Sequence, residues 1–312
     1  MNVFVSGGAG FIGSHLVDRL VSGGDKVTVY DNLSSGKRQF IEKHVSSGSV
    51  RLVEADLLDF DTLTKELSGQ DFVYHLAANP DIRYGIKHTR WDLEQNTVVT
   101  YNVLEAMRLN GVKVIVFPST SAVYGEPSVI PTPEDYGPLL PISLYGASKL
   151  ACEALVSAYC GTFSFKAFIF RFANVVGGRG THGVVYDFME KLGKNPRQLE
   201  VLGDGKQVKS YLLVDEILDA IEYVLKHGKD NLNVYNLGCG DQVSVTEIAE
   251  TVIKQMRLKD VSIKYTGGRQ GWPGDVAEMN LSTEKINKLG WKAKHNSKQA
   301  VKTGVKDMLS NI

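Results

Sequence analysis

The sequence predicts an α/β fold, a doubly wound parallel sheet followed by a smaller C-terminal lobe. Three observations carry this. Short runs of β-branched and aromatic residues recur at 2–5, 26–30, 50–53, 72–75, 112–117 and 165–170, each of strand length. Stretches of helical periodicity lie between most of them, at 11–21, 59–67, 91–109 and 144–159, the alternation expected of parallel strands. A cluster of glycines sits where the first strand gives way to the first helix. After about Arg171 the alternation becomes irregular, with glycine-rich stretches at 176–183, 203–205 and 267–274, and a smaller, loop-built lobe is expected there. The expected division is residues 1–171, completed by parts of 210–240, and residues 172–312.

Composition narrows the function classes. Of 312 residues, 43% are hydrophobic and 22% charged, enough to build a core and against a disordered chain. Lys and Arg number 35, as do Asp and Glu, so no overall charge favours a nucleic acid or an acidic membrane. Three cysteines without a Cys-x-x-Cys argue against a disulfide framework and for a reducing, cytoplasmic setting. The start of the chain offers neither a basic leader nor a long apolar stretch, so no signal peptide or membrane span is expected. The seven histidines form no metal-binding pattern, and His75 is read as a strand-end packing residue. Cys152 and Cys160 are read as small buried hydrophobes on the helix at 144–159.

The glycine cluster fits Gly-x-Gly-x-x-Gly at Gly8, Gly10 and Gly13, and Gly-x-x-Gly-x-x-Gly at Gly7, Gly10 and Gly13. Without a Cβ the backbone turns sharply and lets a pyrophosphate reach the unpaired N–H groups and positive dipole end of the helix that begins with Phe11 and Ile12. Asp31 closes the second strand, where a carboxylate accepts the ribose hydroxyls and repels a 2′-phosphate. The expectation is a Rossmann-type NAD site. Leu76, Ala77 and Ala78 follow the fourth strand and let a dinucleotide approach the backbone. Asp56 and Leu57 follow the third, where Asp56 reads equally as an adenine contact or as a helix N-cap.

Tyr145 and Lys149 are four apart on a helix and share one face. A phenol with a pKa of about 10 needs a depression of roughly 3 units, about 4 kcal/mol, to act as a base at neutral pH. A cation about 6 Å away at an effective dielectric near 20 supplies roughly 3 kcal/mol of that. Ser119, Thr120 and Ser121 end the fifth strand, where a doubly wound sheet presents its ligands and a hydroxyl can orient an alcohol.

With these motifs the chain resembles the extended short-chain dehydrogenase/reductases, and within them the UDP-galactose 4-epimerase group. The resemblance runs nearly end to end, through 6–13, 31–33, 75–78, Asn96, 119–125, 145–149, 171–174, 203–205 and 273–275. It implies an NAD-dependent 4-epimerase of UDP-glucose and UDP-galactose, or a related UDP-hexose, in which Tyr145 moves the hydroxyl proton, Lys149 lowers its pKa and Thr120 orients the reacting oxygen. Ser119 and Ser121 stand as alternatives to Thr120. The resemblance also implies Asn32, Ser35, Gly36, Asn96 and Ser119 on the NAD side. On the nucleotide-sugar side it implies Ser121, Asn174, the segment His182, Gly183, Val184 and Val185, and Leu202, Tyr211 and Asp275. Either Lys209 or Arg269 would meet the diphosphate; Lys209 stands where the family usually has arginine, and Trp272 where it has its other arginine. Met279 matches the position of a pocket gate. A homodimer built from the helices at 91–109 and 144–159 is implied as well. The rival within the family, a sugar-nucleotide 4,6-dehydratase, carries an acidic residue after the threonine, where this chain has Ser121 and Ala122. A catalytically silent NAD-binding sensor would be expected to have lost Tyr145 or Lys149.

Overall fold

The structure, a computed structural model, describes residues 1–310. The first half reads β1 (Asn2–Ser6), α1 (Phe11–Ser22), β2 (Lys26–Asp31), α2 (Glu42–Ser46), β3 (Val50–Glu54), α3 (Phe60–Glu66), β4 (Phe72–His75), α4 (Tyr84–Lys87), α5 (Thr89–Asp92), α6 (Val99–Leu109), β5 (Val114–Thr120) and α7 (Leu144–Phe163). Then come β6 (Lys166–Phe172), β7 (Asn174–Val176), α8 (Val184–Lys194), β8 (Gln198–Val201), β9 (Val208–Lys209), β10 (Tyr211–Leu213), α9 (Val214–His227), β11 (Leu232–Leu237), β12 (Val243–Ser244), α10 (Val245–Gln255), β13 (Ser262–Tyr265), β14 (Glu278–Met279), α11 (Glu284–Leu289) and α12 (Ser297–Leu309).

Seven strands form the central sheet in the order β11, β6, β5, β4, β1, β2, β3. The pairings of β1 with β2 and β4, of β2 with β3 and of β4 with β5 are parallel. Chain order reverses beside β1, so the glycine loop after Ser6 leaves the sheet where a doubly wound fold opens a crevice for ligands. This is the Rossmann-type sheet expected from the strand and helix alternation.

Two compact units share the chain. The first comprises Met1–Ser119, Ala147–Phe170 and Gly228–Val234; the second comprises Thr120–Gly146, Arg171–His227 and Tyr235–Ile312. The units are therefore interleaved along the sequence, with 120–146 grouped with the second. In the first, Phe4, Tyr30, Leu63, Leu104, Met107, Ile115 and Phe165 belong to one apolar core. Cys152 and Cys160 lie in that core as free thiols. In the second, Phe188, Leu192, Leu199, Ile248, Val252 and Val301 belong to another.

Some local structure departs from the expectation. The helix at 91–109 contains a π segment, Leu93–Val98, between α5 and α6, at the position of Asn96. Asp56 is not a helix cap: Asp59 caps α3, accepting from Thr62 N at 3.2 Å, while Asp56 accepts from Leu58 N at 2.9 Å. The part after Arg171 is more regular than its glycines suggest. Helices α10 and α12 each begin in a capping box, Ser244 with Glu247 and Asn296 with Gln299, which satisfies N-terminal donors and starts the helix at a defined residue.

Candidate active site

The glycine loop is shaped by close approaches that only hydrogen at Cα permits. Gly7 has φ +70°, and a Cβ there would come within 2.6 Å of Ala77 N. A Cβ on Gly13 would overlap the Gly7 carbonyl oxygen and stand 2.8 Å from Gly8 Cα. Gly10 precedes α1 with no side-chain cap and no acidic residue in the first turn, so the amides of Phe11, Ile12 and Gly13 suit an anion. Asp31 is buried at the end of β2 and accepts from Ala9 N and Leu33 N, each at 2.9 Å. Burial lifts its carboxyl above the ordinary range, against the pull of those two donors. Gly36 lies beside it, where a Cβ would be 2.9 Å from an Asp31 oxygen. Asn32 donates to Asp56 at 3.0 Å, so these two neighbours of Asp31 come together; Leu57 turns into the core, and Ser35 is exposed. A cradle without Cβ atoms, an uncapped helix start and an acid at the second strand end fit a dinucleotide.

Behind the loop runs a buried polar chain. Ala77 N donates to Ser6 Oγ at 3.3 Å, and Ser6 Oγ lies 2.7 Å from His75 Nδ1. His75 Nε2 lies 3.0 Å from Thr100 Oγ1, which donates to the Asn96 carbonyl at 2.6 Å. Since the Thr100 proton is committed to Asn96, His75 donates from Nε2; burial keeps the ring neutral, and its Nδ1 then accepts from Ser6. Burial, and then the charge of Lys149, lower its pKa to about 3. Asn96 Oδ1 accepts from Asn79 N at 2.9 Å and its Nδ2 donates to Ser148 Oγ at 2.8 Å, one residue before Lys149.

Helix α7 carries Tyr145 in its first turn, half-buried, and Lys149 one turn later, 4% exposed. Lys149 Nζ stands 4.0 Å from the centre of the Phe117 ring. Burial pulls the Lys149 pKa down to about 8, opposed by its neighbours Cys152 and Glu153 on the same helix. Thr120 ends β5 in extended conformation and its Oγ1 accepts from Ala122 N at 3.2 Å, capping the 3-10 turn Ser121–Tyr124. That turn meets the start of α7 closely: a Cβ on Gly146 would be 2.6 Å from the Ala122 carbonyl oxygen. The Arg171 guanidinium lies over the Tyr124 ring at 4.8 Å and donates to the Tyr124 hydroxyl at 2.8 Å, fixing the turn's far end.

In the second unit, Lys209 Nζ is 2.5 Å from buried Asp275 and 5.2 Å from the centre of the Trp272 ring. Tyr211 is buried beside them, its phenol pushed up by burial and by Asp275. Arg269 is exposed, its carbonyl accepting from Gln207 at 3.2 Å. Asn174 donates to the Ser210 carbonyl at 3.2 Å. His182 is exposed and Gly183, at φ +90°, precedes Val184 and Val185 at the start of α8; Leu202 follows β8, and Met279 is buried in β14. Glu153, buried on α7 and not among the residues expected from the sequence, has a carboxylate that accepts from Ser119 Oγ. An acid four residues after Lys149 on an otherwise small and apolar stretch was the available signal.

The profile of the NAD-dependent epimerase/dehydratase family matches residues 3–238. A UDP-glucose 4-epimerase of Mycolicibacterium smegmatis is 36% identical, covering 93% of each chain. Among solved structures, a UDP-galactose 4-epimerase superposes with a TM-score of 0.90 at 40% identity over the whole of both chains. A UDP-glucose 4-epimerase of Thermus thermophilus, solved in complex with NAD, superposes at 0.88 with 31% identity, again over both whole chains. With its glycine cradle, its Tyr145 and Lys149 on one helix and these likenesses in sequence and structure, the chain belongs to the NAD-dependent epimerase/dehydratase family.

Proposed function

We propose that this protein is an NAD-dependent isomerase that interconverts UDP-glucose and UDP-galactose, inverting C4 through a 4-keto sugar. Bound NAD supplies a reversible hydride acceptor for C4. The protein's part is proton transfer and orientation. Tyr145, as phenolate, accepts the proton of the 4-hydroxyl, and Lys149 one turn away stabilises that anion and holds the nicotinamide ribose. Thr120 already accepts from Ala122 N, so its own proton is left to donate to the reacting oxygen. Once the keto sugar presents its other face, Tyr145 returns the proton. The observation that carries this reading is the Tyr145 and Lys149 pair on α7, with Lys149 against Phe117 of a strand that ends in hydroxyls and is followed by Ser121 and Ala122 instead of an acid.

The site assignment follows from it. Residues 1–171, completed by parts of 210–240, would bind NAD through Gly7, Gly10, Phe11, Ile12, Gly13, Asp31, Asn32, Ser35, Gly36, Asp56, Leu57, Leu76, Ala77, Ala78, Asn96 and Ser119. Residues 172–312 would bind the nucleotide through Asn174, 182–185, Leu202 and Tyr211, with Ser121 at the sugar. Because Asp275 balances Lys209 at 2.5 Å, Arg269 is the better source of net charge for the diphosphate. Trp91, Leu93, Val98 and Tyr101 are exposed along the α5 to α6 segment, apolar surface that a second copy would cover in a cytoplasmic homodimer.

Incubation with UDP-glucose, UDP-galactose, their N-acetyl forms and UDP-glucuronic acid, with products read by NMR, tests the reading. UDP-glucose and UDP-galactose should interconvert to a common ratio from either side. No turnover of any of these sugars with NAD present would contradict it.

A further inference from the structure

Glu153 has no task in the reaction described above. It stands one helical turn beyond Lys149 and two beyond Tyr145 on α7, with 6% of its surface exposed. A carboxylate held that far from water is disfavoured unless hydrogen bonds and opposite charge compensate. Both are at hand. The Ser119 hydroxyl donates to Glu153 Oε1. Alternate residues of a strand share a face, so Phe117 and Ser119 of β5 both point at α7. The Phe117 ring lies against the Lys149 ammonium, and Ser119 holds the Glu153 carboxylate one turn on.

Lys149 has the opposite difficulty: an ammonium against an aromatic ring in the interior, where burial favours its neutral form. The groups facing it are few. His75, from β4, is kept neutral by burial. Cys152, on α7, keeps its thiol proton, which burial pushes up and which it donates to the Asn96 carbonyl at 3.3 Å. Tyr145 is the group Lys149 serves. Glu153 supplies the standing negative charge among them.

We propose that Glu153 is a positioning residue that acts through Lys149: held by the Ser119 hydroxyl, its carboxylate keeps the buried ammonium charged over the pH range in which Tyr145 exchanges its proton. The proposal rests on the Tyr145 and Lys149 reading of the reaction. A kcat profile bounded below by Tyr145 and above by Lys149 then has its alkaline limb where the Lys149 ammonium loses its proton. Without the carboxylate that limb moves to lower pH.

The test is the pH dependence of epimerase turnover in the NAD-loaded enzyme for Glu153→Gln and Glu153→Asp. In Glu153→Gln the alkaline limb should fall by about one pH unit, with kcat near neutrality within about twofold of the parent and KM for the nucleotide sugar unchanged. Glu153→Asp keeps the charge and should bring the limb back to within about half a unit. A Gln profile that superposes on the parent, a loss equal at every pH, or an Asp variant displaced as far as Gln would each overturn the proposal. Should Gln fail to fold, Glu153→Met, which buries no unpaired amide, carries the same expectation. If both neutral variants fail to fold while Asp folds, the charge is a requirement of the fold itself, and the proposal is wrong. Tyr145→Phe separates the two levels: full activity there would remove the underlying reading, whereas a dead Tyr145→Phe beside an unmoved Glu153→Gln limb removes this inference alone.

Discussion

Lowering the pH should unfold this protein through His75 before its carboxylates are exhausted. The folded ring has a pKa of about 3 against 6.5 for a free imidazole, so between those values the unfolded chain binds a proton that the folded one refuses. The sign follows: His75 costs stability as pH falls below about 6.5, and the loss grows until pH approaches 3. From pH 7 to pH 5 the two titrations differ by about 2 kcal/mol, a large share of a typical domain's stability. The structure gives the reason. Protonation would place a charge in a site 1% exposed and near Lys149, and would turn the Ser6 hydroxyl from donor to acceptor. Urea unfolding at pH 7 and pH 5, in the parent and in His75→Gln, isolates the effect. The parent should lose about 2 kcal/mol more than the variant over that interval. Equal losses would refute the neutral, buried ring and with it the proton directions from Ser6 to Asn96.

Two other perturbations follow from the site. Asp31→Ala should weaken NAD by roughly tenfold to a hundredfold, the loss of charged hydrogen bonds to a ribose, while NADP changes far less; calorimetric titration of both cofactors reads this, and equal weakening would contradict the role of the acid. Gly146→Ala places a Cβ 2.6 Å from the Ala122 carbonyl and must part the Thr120 turn from the start of α7. Turnover should fall by about tenfold or more while NAD binding is kept, and an unchanged kcat would show that the close approach is dispensable.

The central sheet was legible because periodicity and punctuation are local: the strand at 72–75 ends where β4 does, and the glycines that open α1 lie beside one another in the chain. The pairing of Tyr145 with Lys149 was legible for the same reason, a spacing of four on one helix. What local pattern could not show was contact between distant segments. Ser119 and Glu153 are 34 residues apart, Lys209 and Asp275 are 66 apart, and no spacing rule joins either pair. The grouping of 120–146 with the later residues is of this kind too, since it depends on contacts such as Tyr124 with Asn236, 2.8 Å apart across 112 residues. Asp56 was ambiguous between an adenine contact and a cap because it precedes a helix, and only cap geometry shows that Asp59 holds that helix's start.

The proposed reaction turns on Tyr145 moving a proton at C4 with no base working at C5. Turnover of UDP-glucose in deuterated water, followed by NMR of the recovered nucleotide sugars, tests that directly. UDP-galactose should form with no deuterium at C5 and no 4-keto-6-deoxy product, because neither Ser121 nor Ala122 can abstract a carbon-bound proton near neutral pH. Deuterium at C5, or a 6-deoxy keto sugar accumulating, would contradict it and move the search for a base to a carboxylate outside the Thr120 segment, with Glu126 the nearest in sequence.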